Sequence, residues 1–423
     1  MQLVEQHIIK WSDSRFAPID AAAFKAKNLY NAALYLVRQS FIFEGRYLGY
    51  EAVYHHMKGH DAYRALPTKV AQQVLRLLDK NWQSYFAATL AYQENPTKFR
   101  KPPKLPRYKH KTAGRSPLVY TIQALSRPSL KRGIIQPSML PITVQTKQTC
   151  IAQVRIVPRS GFYVVEVVYE QAEAVPSGNP ALYAAIDIGV DNLAAITTNK
   201  KGFTPRLVNG RPIKSTNQYY NKRRAQLQEA LGTTGTTARM ERFTAKRTRR
   251  INHYLHTASK AIIALLVEEG IGTLAVGKNP GWKQEAELGR VNNQHFVGLP
   301  HARFIGMLEY KAKLAGIRFV LQEESYTSRA SFLDSDPIPT SNPKQEGKHA
   351  FSGKRVKRGL YRAKDGRCLN ADVNGSYNIL RKALPDAFGK GIEALVVVPV
   401  WLTFVWSVQP NALAAARIVP TNQ

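Results

Sequence analysis

The stretch 183-YAAIDIGVDNLAAITT-198 is apolar or small at almost every position, yet it sets Asp187 inside the first of what read as two strands around a tight turn. A carboxylate buried in a strand is costly unless something pairs with it. An ion pair or hydrogen bonds would do so, and so would a bound metal ion. Asp372 stands in 370-NADVNGSYNIL-380, directly before a helical pattern, where a carboxylate can serve simply as a helix cap. Glu323 and Glu324 end the apolar run 317-IRFVLQEE-324. Successive strand side chains point to opposite faces, so only one of the two can face a given site. Carboxylates gathered from separate elements repel one another and need divalent cations. Two magnesium ions held in this way activate a water and stabilise the leaving oxygen of a phosphodiester.

The elements that must position these acids follow from the pattern. Residues 1–15 alternate apolar and polar and predict one strand. Residues 18–95 carry apolar residues at helical spacing. Residues 117–175 return to short strands and predict a small β-barrel, completed by the strand near the N-terminus. After the linker 173-EAVPSGNP-180 the pattern becomes strand–helix alternation. A long basic helical segment spans 216–269, a buried strand 271–277, a helix 300–316 and a strand 317–324. A polar, Gly/Pro-rich segment at 334–370 precedes a final helix starting near Asn374.

The 423 residues hold 61 Lys+Arg against 29 Asp+Glu, a net charge of +32. Such an excess disfavours a compact monomer unless a polyanion neutralises it, with nucleic acid the first candidate and an anionic membrane the second. The basic loop 96-PTKFRKPPKLPRYKHKTAGRS-116 mixes Lys101, Lys104 and Arg107 with Tyr108, a pattern suited to a phosphate backbone. Lys222, Arg223, Arg224, Arg247, Arg249 and Arg250 on the long helical segment, and Lys354, Arg355, Lys357 and Arg358 in the polar one, extend this set. Two cysteines, Cys150 and Cys368, exclude a disulfide framework and fit a cytoplasmic setting. The N-terminus shows no basic region followed by an apolar run, so no signal peptide is expected. The apolar stretch 392–408 contains Glu393 and Pro399 and is short for a membrane span, so a packed or disordered tail is expected and no membrane partner.

D-I-G-V-D-N-L-A from Asp187, then Y-T-S at 326–328, then A-D-V-N-G-S-Y-N-I-L, resemble in their order the OrfB/TnpB family of transposon-encoded, RNA-guided DNA nucleases related to the type V CRISPR effectors. The resemblance implies a wedge-like β-barrel (1–16 and 96–175) with an inserted helical recognition domain (17–95). It also implies a RuvC/RNase H-like nuclease domain (181–330 and 370–385), a target-nucleic-acid-binding insert (331–369) and a C-terminal tail (386–423). Asp187 resembles the first RuvC aspartate and Asp372 the last. The middle acid departs from the pattern. Gly277 stands where the family places a glutamate, as in a subgroup whose glutamate has moved. Glu324 is the first choice as replacement and Glu323 the second, with Glu285 and Glu287 weaker candidates. Ser331 and Asp334 occupy the positions of the first cysteine pair of the family's zinc ribbon, and only Cys368 stands near the second. No zinc is expected, and packing and hydrogen bonds, or bound nucleic acid, must hold that loop. The function implied is an RNA-guided, Mg²⁺-dependent DNA endonuclease with guide RNA and double-stranded target DNA as partners, two ions held by Asp187, Glu324 and Asp372, and a short adjacent motif read beside the target. An RNA-guided repressor that has lost cleavage and an unguided DNA transposase are the rivals.

Overall fold

Alternating residues at the N-terminus form β1 (Gln2–Lys10), which pairs antiparallel with a later strand in the first of two compact units, 1–172 and 173–423. The computed structural model describes residues 1–232, 235–279, 298–340, 349–389, 391–392 and 395–402.

Four helices follow β1: α1 (Phe16–Phe43), α2 (Tyr50–Met57), α3 (Asp61–Arg64) and α4 (Thr68–Glu94). The long helix α1 buries Ile19, Ala23, Ala26, Tyr30, Ala33, Leu34 and Val37, and α4 buries Val70, Val74, Leu78 and Trp82. Steps of three and four residues make each set a single stripe. Trp82 is fully buried, with the Phe41 ring centroid 5.0 Å away. Beyond the basic loop come β2 (Leu118–Thr121), α5 (Arg127–Lys131), β3 (Ile134–Ile135), β4 (Val144–Gln145), β5 (Ile151–Arg159) and β6 (Phe162–Glu170). Among the described residues the expected barrel does not close. The strands form an open antiparallel sheet in the order β1-β6-β5-β2, with β3 and β4 paired separately. Nor do the helices stand apart as a body of their own: Ile9, Leu118, Val154 and Val165 of the sheet share one apolar core with α1 and α4.

The basic loop is held by its backbone. Lys27 donates to the Lys111 carbonyl at 2.6 Å, Asn31 exchanges two hydrogen bonds with the Lys109 backbone at 2.9 Å, and Arg38 donates to the Pro106 carbonyl at 2.9 Å. All three donors lie along α1, four and seven residues apart. At the end of the loop Arg115 grips Asp20 through both carboxylate oxygens, at 2.8 and 2.6 Å.

The second unit is built on a six-stranded sheet: β7 (Asn179–Asp187), β8 (Asn192–Thr198), β9 (Arg206–Asn209), β10 (Ile271–Gly277), β11 (Arg318–Gln322) and β15 (Val400–Leu402). Its order is β11-β10-β7-β8-β9-β15. The strands β7, β10 and β11 run parallel, β8 turns back, and β15 runs parallel to β9 at the edge. The long helical segment expected at 216–269 is two helices, α6 (Arg211–Leu231) and α7 (Ala238–Glu268), with Gly232 ending the first in the left-handed region at φ +67°. Helix α8 (His301–Leu314) packs with α7 on one face of the sheet, against Ala184, Ile186, Leu274 and Val276. Helix α9 (Ala371–Ala383) packs on the other, against Ala185 and Ala275. Both faces are therefore covered, which is why these strands read as continuous apolar runs. Helix α9 begins three residues earlier than the pattern suggests, so Asp372 lies in its first turn. The polar segment before it holds a small sheet, β12 (Lys354–Lys357), β13 (Leu360–Arg362) and β14 (Cys368–Asn370). Part of the expected tail is strand β15, and residues 403–423 lie outside the described residues. Among the described residues no helix is long and apolar enough to cross a membrane.

Candidate active site

Strand period fixes the direction of Asp187. Ala185 packs on the α9 side of the sheet, and Asp187, two residues on, points the same way. There it meets Gly375 of α9, where an added Cβ would lie 2.5 Å from Asp187 Oδ2. Only glycine lets the helix come this close. Asp372, one turn earlier on α9, accepts a 2.6 Å hydrogen bond at Oδ2 from the buried Asn192 at the start of β8. It is not the helix cap. Asn370 is, accepting from the backbone N–H groups of Asp372 and Val373 at 2.9 and 3.2 Å. The carboxylate of Asp372 is thus released from local backbone duty and directed at the sheet.

The third acid arrives over a gap. Val276 of β10 is level with Ile186 of β7, and Gly277 with Gln322 of β11. Gly277 therefore sits beside Asp187, and Glu324, two residues past Gln322, lays its carboxylate over it. Any Cβ at position 277 would collide with Glu324 Oε2 and with the Ile379 side chain of α9. The side chain missing from β10 is the space that the neighbouring strand's glutamate fills. Glu324 Oε2 is buried with no hydrogen-bond partner. Glu323 turns away, accepting from Lys382 at 2.5 Å and from the Ser325 backbone at 2.7 Å. The structure separates the two candidates: Glu323 is committed to an ion pair and Glu324 is not. Glu285 and Glu287 lie outside the described residues.

Electrostatics follow this geometry. Burial, then the nearby charges of Asp372 and Glu324, push Asp187 well above the usual carboxylate range, with Arg355 opposing. Burial, reinforced by Glu323, lifts Glu324 to about 7. Burial also works on Glu323, but the hydrogen bonds from Lys382 and Ser325 bring it below its ordinary value. Among the described residues no three His, Cys, Asp or Glu side chains converge closely enough to hold one ion together. Asp372 and Glu324 lie close enough to Asp187 for their charges to oppose its ionisation.

The candidate nucleic-acid residues divide. Lys101, Lys104, Arg107, Tyr108, Lys222, Arg223, Arg224, Arg249, Arg250, Lys354 and Lys357 are exposed. Arg247 is not a free phosphate contact: it is half-buried, donates to Asn217 Oδ1 at 2.7 Å and lies over the Tyr220 ring. Arg355 and Arg358 turn toward acids, Arg355 at 3.8 Å from Asp372 and Arg358 at 2.6 Å from Asp191, which Lys214 also meets at 2.9 Å.

The loop around Ser331 and Asp334 is closed by hydrogen bonds. Asp336 Oδ2 accepts from the Ser331 and Ser352 backbones at 2.8 and 3.0 Å, and Asp334 Oδ2 from the Lys364 backbone at 2.9 Å. Sequence reasoning missed Asp336, and nothing in its spacing marks it. It also missed Asn374 and Asn378, which receive this turn by donating to the Ala330 carbonyl at 2.8 and 2.7 Å. Their i, i+4 spacing on α9 was the available signal.

Two family profiles match in tandem. OrfB_IS605, described as "Probable transposase", covers residues 166–283 and so Asp187. The Cas12f1-like TNB domain covers 301–379 and so Glu324 and Asp372. The chain has a TnpB-like relative. It is 25% identical over 221 residues to the TnpB-like protein ORF457 of Acidianus two-tailed virus, an alignment that spans 50% of this chain and 43% of that protein. Among solved structures, the Cas12f1–sgRNA–target DNA complex superposes with a TM-score of 0.35 at 14% identity, covering 90% of this chain and 100% of that one. The mini-RNA-guided endonuclease CRISPR-Cas phi3 gives 0.40 at 9% identity, with 90% and 92% covered.

Proposed function

We propose that the chain is a metal-dependent DNA endonuclease directed by a guide RNA, with Asp187, Glu324 and Asp372 as its acid set. The observation that carries this reading is the orphaned carboxylate oxygen of Glu324, buried over Gly277 at the end of the strand next to Asp187. A buried acceptor without a donor is costly, and an oxygen-seeking cation is the partner it lacks. The donor set is all carboxylate, which suits magnesium. Such ions would polarise the phosphoryl oxygen and lower the pKa of a bound water. The residues of the chain do the rest. Asn192 fixes the orientation of Asp372, the missing side chains at Gly277 and Gly375 admit the other two acids, and burial raises the affinity of Asp187 and Glu324 for a positive partner, for which a cation would compete with a proton. The exposed cations of the clamped loop and of α6 and α7 suit guide RNA and the guide–target duplex. The TnpB-like relative and the family profiles support the same reading.

The test is cleavage of plasmid carrying a guide-matched target beside a randomised motif, by protein purified with its flanking RNA, in Mg²⁺. Double-strand breaks should vanish with Asp187→Ala and Glu324→Gln and survive Glu323→Gln. A guided binder without cleavage is the second reading, favoured by the absence of a ready three-ligand cluster among the described residues and by Arg355 beside Asp372. Guide-dependent binding with no cutting by the unaltered protein would establish it.

A further inference from the structure

Two residues past Glu324, Tyr326 adopts φ +65°, a left-handed conformation that a bulky aromatic residue rarely takes. The turn that forces it is fully determined. The Thr327 backbone and hydroxyl both donate to the Glu324 carbonyl, at 3.2 and 2.8 Å, and the Arg329 and Ala330 backbones donate to the Tyr326 carbonyl at 3.0 and 2.9 Å. Asn378 of α9 then holds the Thr327 and Ala330 carbonyls. Glycine would make this turn without strain. The backbone therefore gives no reason for a tyrosine, and the reason has to lie in the ring. Tyr326 is half-buried, and its ring meets His349 edge-on, 5.1 Å between centroids, with Phe351 tilted 6.2 Å away. Strand β12 follows at once with Lys354 and Lys357, both exposed and in no ion pair among the described residues. A partly open aromatic cluster followed within a few residues by exposed cations is an arrangement on which single-stranded nucleic acid can stack a base while its phosphates are neutralised.

We propose that Tyr326 is a stacking platform for one unpaired nucleobase, positioning the strand next to the acid site; the positioning role rests on the nuclease reading above. Strain kept at a residue adjoining a candidate ligand is a mark of function that a packing role alone does not require.

The test uses the full chain in EDTA with a series of short single-stranded DNAs, each carrying 2-aminopurine at a different position. One position should be quenched by the unaltered protein and by Tyr326→Phe. Tyr326→Gly and Tyr326→Asn, both able to adopt the left-handed turn, should lose the quench and bind roughly five- to 150-fold more weakly, the range of a single base–aromatic stack. Their melting temperatures should equal or exceed that of the unaltered chain, since strain is relieved. Quench and affinity unchanged in both variants would overturn the proposal, as would the absence of any quenched position in the unaltered protein. Because the binding is read without divalent ions, a quench with no Mg²⁺-dependent cleavage would sink only the nuclease reading. Cleavage with no quench would sink only the stacking platform.

Discussion

Two carboxylates of the first unit and two at the strand ends of the second are treated in opposite ways. In the first unit Asp13 is met by Arg15 at 2.7 Å and held down to about 2, and Asp20 is held below its ordinary value by Arg115, with Tyr163 also donating. At the strand ends of the second unit Glu324 and Asp187 are half-buried, have no cation in contact among the described residues, and are pushed upward. The side chain chemistry is the same in both places. Asp13 and Asp20 are given donors, the Glu324 Oε2 atom has none, and Asp372 stands between the two cases with its bond from Asn192. Glu323 and Glu324 repeat the contrast between adjacent residues, one tied to Lys382 and the other left over a glycine.

Breaking that contrast at the unpaired acids should give the largest effect. Asp187→Ala should lower Mg²⁺-dependent cleavage by at least about 10³-fold, read in single-turnover assays, since metal ligation supplies several kcal/mol to the transition state. Gly277→Ala should cost about 10²-fold in the same assay by displacing the Glu324 carboxylate. If Gly277→Ala left cleavage unchanged, Glu324 would not be the acid that counts.

The same contrast is sharpened by pH. Glu324 rises from 4.5 unfolded to about 7 folded, so the folded chain holds an extra proton between those values. Metal-free stability should therefore be greatest at the acid end of this window and fall as pH rises through it, by about 3 kcal/mol from Glu324 alone. Asp187 adds to the fall in the same direction. Denaturant titrations of the chain and of Glu324→Gln in EDTA would show the slope and its reduction. Paired acids should behave in reverse: Asp20→Ala should destabilise the first unit by about 2 kcal/mol near neutral pH, through lost bonds to Arg115 and Tyr163, and much less at pH 2.

How much of this was legible in the sequence depends on what each residue's neighbours are. Asp187 and Asp372 stand out because a lone acid in an apolar strand and an acid at a helix start are local anomalies. The preference for Glu324 over Glu323 needed the strand adjacency, and what separates them, Lys382, comes from an element 59 residues away. The strand at 271–277 was read to the residue, since a β-rich apolar run with a glycine end is a local signal. The barrel was not, because whether a sheet closes depends on twist and on edge strands meeting, which alternation does not encode. Arg247 looked like its basic neighbours, and only packing against Tyr220 and Asn217 removes it from the surface set.

The grip of Lys27, Asn31 and Arg38 on the backbone of the basic loop has a thermodynamic consequence. A Pro- and Lys-rich segment free in solution would lose backbone entropy of about 1–2 kcal/mol per residue on meeting a polyanion. Here the segment between Pro106 and Lys111 has lost that freedom in the folding of the chain itself, and its outward side chains alone remain to be ordered. Association with a polyanion would be left with a smaller entropic penalty, and cutting the clamp with Asn31→Ala should weaken polyanion binding without removing a single positive charge.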